Sequence, residues 1–198
     1  MSNKKEKVLR RRALVTRLLA ERDEMGVVSG LGSATWDVAE AGDEPLNFPL
    51  WAGMGCAAMI GLGLALAQPT RRVVVITGDG EMLMGLGGLV TIADQAPENL
   101  AVWVLDNESF GETGGQPPPT ASLADLAGIA RGAGFSAVLE AADEAALTPL
   151  ITAVRSAPGP VFAVAKVALE TLPLVMPPKD GAFLKDRLRR ALGVDAPA

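Results

Sequence analysis

Residues 72–77 read RVVVIT, a continuous β-branched run stopped by Gly78. A strand that is apolar on both faces must be covered on both faces, which is the situation of a central strand in a parallel sheet. Further runs at 26–29, 100–105, 136–139 and 160–166 repeat the pattern. Between them lie helical patterns at about 5–22, 53–67, 81–94, 122–131, 144–156 and 181–192. Residues 42–50 and 107–120, rich in Gly and Pro, read as loops, and 173–178 as a proline-broken tail. Strands that alternate with helices predict an α/β fold: one doubly wound domain over 1–198, with a mostly parallel sheet flanked by helices and a C-terminal helical tail from about 173. In such sheets ligands bind at the carboxyl ends of the strands, near a switch in strand order. The segments after Ser29, Thr77 and Leu105 are therefore the places to look for chemistry.

Composition removes several classes of function. The 198 residues include no His and no Tyr, which excludes an imidazole base, a Ser-His-Asp triad and a His-ligated zinc within the chain. Cys56 is the only cysteine, so neither an internal disulfide nor a CxxC pair nor a cysteine-ligated iron–sulfur cluster can form. Nothing calls for an oxidising compartment, and a cytoplasmic location is expected. The formal net charge of −5 speaks against nucleic acid as partner. The apolar run 54–67 is too short to span a bilayer and reads as a buried helix, with Cys56 a small buried hydrophobe. The start, MSNKKEKVLRRR, has no secretory apolar segment behind it and reads as the solvated face of a first helix.

Gly78-Asp79-Gly80-Glu81 follows the central run. The glycines let backbone approach a ligand, and a helix start behind them offers free amides to a phosphate. The same four residues also fit a tight turn with Asp79 as helix cap. Asp106-Asn107-Glu108-Ser109-Phe110-Gly111 follows the next run, with 26 residues between Gly80 and Asn107. That length is one crossover helix plus one strand. A right-handed βαβ unit then brings Asp79 and Asn107 to neighbouring strand ends, where hard oxygen donors suit Mg²⁺ beside a diphosphate.

GDG, about 26 residues and then Asn, within a parallel α/β pattern, resembles the cofactor motif of thiamine diphosphate (ThDP) enzymes. The stretch GDGEMLMGLGGLVTIADQAPENLAVWVLDNESFGETGGQ is similar to the diphosphate-binding β subunit of sulfopyruvate and phosphonopyruvate decarboxylases, and the likeness runs from about Val27 to Val167. The resemblance implies ThDP and Mg²⁺ as cofactors, with Asp79, Asn107 and the main-chain carbonyl of Ser109 as metal ligands. Gly78, Gly80 and the backbone of Glu81 meet the diphosphate, flanked by Phe110 and Gly111. Met54, in the turn Ala52-Gly53-Met54-Gly55, resembles the apolar wedge that bends the cofactor, with the Ala52 carbonyl on its amino group; Met54 also fits a plain core position. Ser33 either reaches the diphosphate or caps the next helix. Glu112, Thr113 and Gln116 of the long loop are candidates for substrate contact, and the loop also reads as a stiff surface connector. GxGxxA at Gly53, Gly55 and Ala58 mimics a dinucleotide motif but has no acidic residue about 20 positions on.

The implied reaction is non-oxidative loss of CO₂ from a 2-oxo acid to give an aldehyde. The glutamate that such enzymes place on the pyrimidine ring belongs to a second domain, for which this chain has no room. A partner α subunit is thus expected to supply it, in a hetero-oligomer, with self-association of the isolated chain also open. Sulfonate or phosphonate substrates need cations, and Arg71 and Arg72 stand at the wrong end of their strand, which points to the partner as acid-group reader or to a different substrate. The alternatives are an acetolactate synthase-like carboligase, a 2-oxo acid oxidoreductase β subunit and a non-catalytic ThDP-binding module.

Overall fold

The computed structural model describes residues 9–194. Among them six strands form one sheet: β1 (Gly26–Ser29), β2 (Asn47–Pro49), β3 (Val73–Gly78), β4 (Leu100–Asp106), β5 (Ala137–Ala141) and β6 (Val161–Lys166). The order across the sheet is β2-β1-β3-β4-β6-β5, and all the pairings are parallel. The helices are α1 (Arg11–Leu19), α2 (Ser33–Ala41), α3 (Ala57–Ala67), α4 (Asp79–Met84), α5 (Gly87–Gln95), α6 (Leu126–Ala133), α7 (Glu144–Ser156) and α8 (Gly181–Ala191). The expected doubly wound α/β architecture is the one adopted.

Each face of the sheet carries its own core. Val74 and Ile76 of β3 and Trp103 of β4 pack with Leu14 and Leu18 of α1, Val38 of α2 and Leu147 and Leu150 of α7. Val73 and Val75, from the same strand, pack on the other side with Leu62 of α3, Leu89 and Ile92 of α5 and Leu126 of α6. Successive side chains of a strand point to opposite faces, so the unbroken apolar run of β3 serves both cores. Each such fully buried side chain is worth about 1.5–3 kcal/mol.

The strand order reverses twice. From β1 the chain goes outward to β2 and returns across to β3; from β4 it goes outward to β5 and returns to β6. The first reversal opens a crevice at the carboxyl ends of β1 and β3, with the end of β4 beside it.

Several local expectations are corrected. The stretch 42–50 contains β2, a three-residue edge strand beside β1. The helix expected at 81–94 is two helices, broken at Gly85, where an added Cβ would fall 2.3 Å from the Gly55 carbonyl oxygen. Two backbones touch there, and a continuous helix does not fit. The first helix is α1, with the expected residues 5–8 lying outside the described ones, and it is not simply a solvated basic face: Arg11 is buried and pairs with Asp37, as does Arg12. The apolar helix of 54–67 begins at Ala57 and leaves Met59 and Leu66 exposed, so it is not wholly buried. Cys56 precedes it and is exposed, because the turn before α3 lies on the surface. Among the described residues no helix is long and apolar enough to cross a membrane.

Candidate functional site

β3 and β4 run side by side with Gly78 opposite Leu105, so Asp79 and Asn107 follow adjacent strand ends. β1 ends next to β3 and leads through Gly30–Gly32 into α2. A cavity of about 330 Å³ lies where these three ends meet. Its polar rim carries Ser33, Gly78, Asp79, Gly80, Glu81, Asn107, Ser109, Gly111, Glu112 and Thr113, and its apolar wall Leu31, Trp36, Leu50, Trp51, Met54 and Phe110. Two residues singled out from the sequence lie off the cavity wall: Ala52 is exposed on the turn before α3, and Gln116 is exposed in the loop, where its amide nitrogen donates to the Thr113 carbonyl at 2.9 Å.

Asp79 is buried. Thr120 Oγ1 donates to its Oδ2 at 2.5 Å. Burial raises the Asp79 pKa to about 6; the nearby Asp106 adds to the rise, while the Thr120 hydroxyl and the Gly80 amide pull against it. Asp106 in turn accepts from Lys166 Nζ at 2.5 Å, and Lys166 also reaches Glu108 at 3.3 Å. Burial alone would lower Lys166, but these carboxylates hold it above the usual lysine range. Asn107 Oδ1 accepts the Ser109 amide at 2.9 Å, which folds the chain into an Asx turn just past the strand. The Ser109 hydroxyl is buried with no hydrogen-bond partner among the described residues.

Glu81 does not expose its carboxylate. Oε2 accepts the Leu31 amide at 3.0 Å and the Thr77 hydroxyl at 2.9 Å. Burial raises its pKa, opposed by Thr77 and by the amides of Gly55, Leu31 and Ala57. The side chain thus ties the β1, β3 and α3 turns together behind the cavity. Gly80 packs against Phe110, whose ring edge lies 2.3 Å from where a Cβ would stand. Gly78 has no atom within 4 Å of such a Cβ and is open there.

Three groups of the site have no local mark in the sequence. Arg11 lines the cavity, but its guanidinium is committed to Asp37 and to the Ser33 carbonyl at 3.1 Å. Trp36 and Trp51 stand 5.5 Å apart, centroid to centroid; Trp36 Nε1 donates to Glu112 Oε1 at 3.2 Å, and Trp51 Nε1 donates to the Pro178 carbonyl at 2.8 Å. Thr120 arrives from 41 residues beyond Asp79. All are long-range contacts, and none carries a motif or a period. Among the described residues no group of three or more His, Cys, Asp or Glu is placed to hold a metal. A cation here would need the mixed donors of Asp79, Asn107 and backbone.

The fold and the cavity first define a class: parallel α/β proteins that take a ligand at the carboxyl ends of their central strands. The sequence matches the family described as "Thiamine pyrophosphate enzyme, C-terminal TPP binding domain" over residues 30–165, and the chain belongs to that family. It is 39% identical over 156 residues to "Sulfopyruvate decarboxylase subunit beta" of Methanothermobacter thermautotrophicus, covering 79% of this chain and 80% of that protein. It is 42% identical over 127 residues to "Phosphonopyruvate decarboxylase" of Streptomyces viridochromogenes, covering 64% of this chain and 32% of that one. Among solved structures, benzoylformate decarboxylase from Polynucleobacter necessarius superposes with a TM-score of 0.72 at 20% identity, over 88% of this chain and 36% of the other. That likeness is one of fold.

Proposed function

We propose that the chain is the ThDP- and Mg²⁺-binding subunit of a two-chain 2-oxo acid decarboxylase, of the kind its sulfopyruvate and phosphonopyruvate decarboxylase relatives are named for. The observation that carries this reading is the meeting of Asp79, Asn107 and Ser109 on one cavity at adjacent strand ends. Asp79 is a buried carboxylate with a second carboxylate, Asp106, beside it. Lys166 already answers Asp106, so a divalent cation would supply the positive charge that Asp79 lacks among the described residues, with Asp79, the Asn107 amide oxygen and the Ser109 carbonyl as the hard donors that would hold it. Gly78 leaves room for a diphosphate, with the backbone at Gly80, Glu81 and Ser33 offering donors. Met54 in the apolar wall is the candidate wedge.

When bound, ThDP supplies the carbon nucleophile and electron sink through which a 2-oxo acid loses CO₂. The protein's work is to bind, orient and exclude water. Phe110, Trp36, Trp51 and Leu50 wall the cavity against solvent. Glu112 and Thr113 line it from the loop side and stand toward the substrate, with Gln116 behind them.

The carboxylates on the cavity wall are Asp79, Glu81 and Glu112, and each already accepts from a neighbour: Thr120, Leu31 with Thr77, and Trp36. The absence of His from the chain leaves any imidazole to a partner α subunit, which is also the proposed source of the catalytic glutamate. The β-subunit names of the relatives support the same division. The TGGQ loop, Thr113–Gln116, also supports an oxidoreductase β subunit, but a single cysteine leaves no iron–sulfur ligand set in this chain.

The reading is tested by titrating ThDP into the full chain, with and without Mg²⁺, alone and with the partner subunit. Mg²⁺-dependent binding is expected in the wild type and lost in Asp79→Ala; unchanged affinity in that variant overturns the ligand assignment. With the partner present, CO₂ and an aldehyde are expected from a 2-oxo acid with no electron acceptor. A carboligated product, or turnover only with an acceptor, selects the carboligase or the oxidoreductase instead.

A further inference from the structure

The loop after β4 meets the site twice, once on the cavity wall and once behind it at Asp79. At its near end Glu112 is held by Trp36 Nε1, and an added Cβ on Gly32 would fall 2.8 Å from Glu112 Cγ, so the loop lies directly on the β1–α2 turn. It then doubles back, with the Phe110 amide donating to the Gln116 carbonyl at 2.9 Å, and passes through Pro117, Pro118 and Pro119. At its far end it returns to the site as a single 3₁₀ turn, Pro119–Ala121, with Thr120 at its centre. The turn is well fastened: the amides of Ser122, Leu123 and Ala124 donate to the Pro119 carbonyl at 2.8–3.1 Å.

Thr120 is buried, and its hydroxyl meets the buried Asp79 Oδ2 at 2.5 Å. A carboxylate accepts only, so the threonine proton lies toward Asp79. This contact fixes the rotation of the Asp79 carboxylate from outside its own turn and occupies one of its two oxygens. Partners that orient a ligating side chain matter nearly as much as the ligand itself.

We propose that Thr120 is a positioning residue for the divalent cation: its hydroxyl holds Asp79 so that the other carboxylate oxygen faces the cation, and through the same bond it fastens the far end of the 111–119 loop to the site, so that cation binding and loop closure strengthen each other. The proposal rests on Asp79 being a cation ligand. Linkage makes the coupling reciprocal: if the closed loop favours the cation, the cation favours the closed loop by the same factor.

The test uses the full chain, alone and with its partner subunit, with Mn²⁺ as an electron paramagnetic resonance probe at fixed ThDP. Hydrogen exchange of the loop amides, residues 111–116, and the melting temperature are measured alongside. Thr120→Val is expected to weaken Mn²⁺ binding about 10- to 100-fold and to abolish the Mn²⁺-induced protection of the loop. Thr120→Ser, which keeps the hydroxyl, is expected to restore both. Wild-type affinity and protection in Thr120→Val overturn the proposal, as does a Thr120→Ser variant as defective as Thr120→Val, which would show that the hydroxyl is not what holds the site. Asp79→Asn separates the two levels. If it loses Mn²⁺ while Thr120→Val does not, only the positioning role falls; if it binds Mn²⁺ like the wild type, the ligand assignment falls and the proposal with it.

Discussion

Glu81 is the residue on which the local geometry of the cavity turns. Its backbone lies at the start of α4, where the sequence points to a diphosphate contact, while its side chain runs the other way, into the seam between three turns. Gly30 has to be glycine for this: an added Cβ would lie 1.7 Å from Glu81 Oε2. Removing the carboxylate takes the acceptor from the half-buried Leu31 amide and from the buried Thr77 hydroxyl. A buried donor left unmatched costs about 1–3 kcal/mol. Glu81→Ala is therefore expected to lower unfolding free energy by about 2–4 kcal/mol in denaturant titrations and to weaken ThDP binding by loosening both turns. Glu81→Gln, which keeps an acceptor oxygen, is expected to lose less than half as much. A Glu81→Ala variant as stable as the wild type would remove Glu81 from this role. A GDGE string shows that an acid follows the glycines, but nothing in it tells which way the acid points; that is set by Gly30, a residue 51 positions upstream.

At the scale of elements, the strands that carry the site were legible because burial on both faces leaves an unmistakable trace. The ends of β1, β3 and β4 fall within about a residue of where the apolar runs stop, and Gly and Asn punctuate them. β2 was not legible. It has three residues, the last of them Pro49, with Pro45 just before it, and it is flanked by the Val27 amide on the Leu46 carbonyl and the Leu50 amide on the Ser29 carbonyl, both at 3.0 Å. The break between α4 and α5 was hidden for a similar reason: the apolar pattern continues through it, and its cause is the Gly55 backbone, brought there by tertiary packing. Two glycines close to each other in sequence make opposite predictions. At Gly85 an added Cβ would strike the Gly55 carbonyl, so Gly85→Ala is expected to destabilise by about 1–3 kcal/mol and to shift the turn that holds Met54. At Gly87, in α5, no atom lies within 4 Å, so Gly87→Ala is expected to be neutral or to stabilise by up to about 1 kcal/mol. Thermal and denaturant unfolding of the pair would decide; equal effects at both positions would mean that the contact with the Gly55 backbone does not set the break.

For the molecule as a whole, the buried carboxylates set a pH dependence opposite to that of ordinary acid denaturation. Asp79, Glu81 and Asp37 are all raised, in each case first by burial. For Asp79 the folded value is about 6 against an unfolded value of 3.8. Between those two pH values the folded chain holds more protons than the unfolded one, so this group's contribution to stability falls as pH rises through the window and is at its least favourable at neutral pH. Asp79→Asn, permanently uncharged and still able to accept from Thr120, is therefore expected to be more stable than the wild type at pH 7 in the presence of a chelator. Its advantage, up to about 3 kcal/mol, shrinks as pH drops from 7 toward 4 because the wild-type carboxylate becomes neutral too. Cation binding moves the other way. It needs the charged carboxylate, so Mg²⁺ affinity in the wild type is expected to fall about tenfold for each further pH step below about 6. Melting curves of both proteins across this range, with chelator and with Mg²⁺ plus ThDP, separate the two effects. A constant stability difference between wild type and Asp79→Asn, or a variant that is the less stable of the two at pH 7 without metal, would mean that Asp79 carries no uncompensated charge. The case for a cation in the cavity would then lose its electrostatic basis, because the site would have no charge deficit for a metal ion to fill.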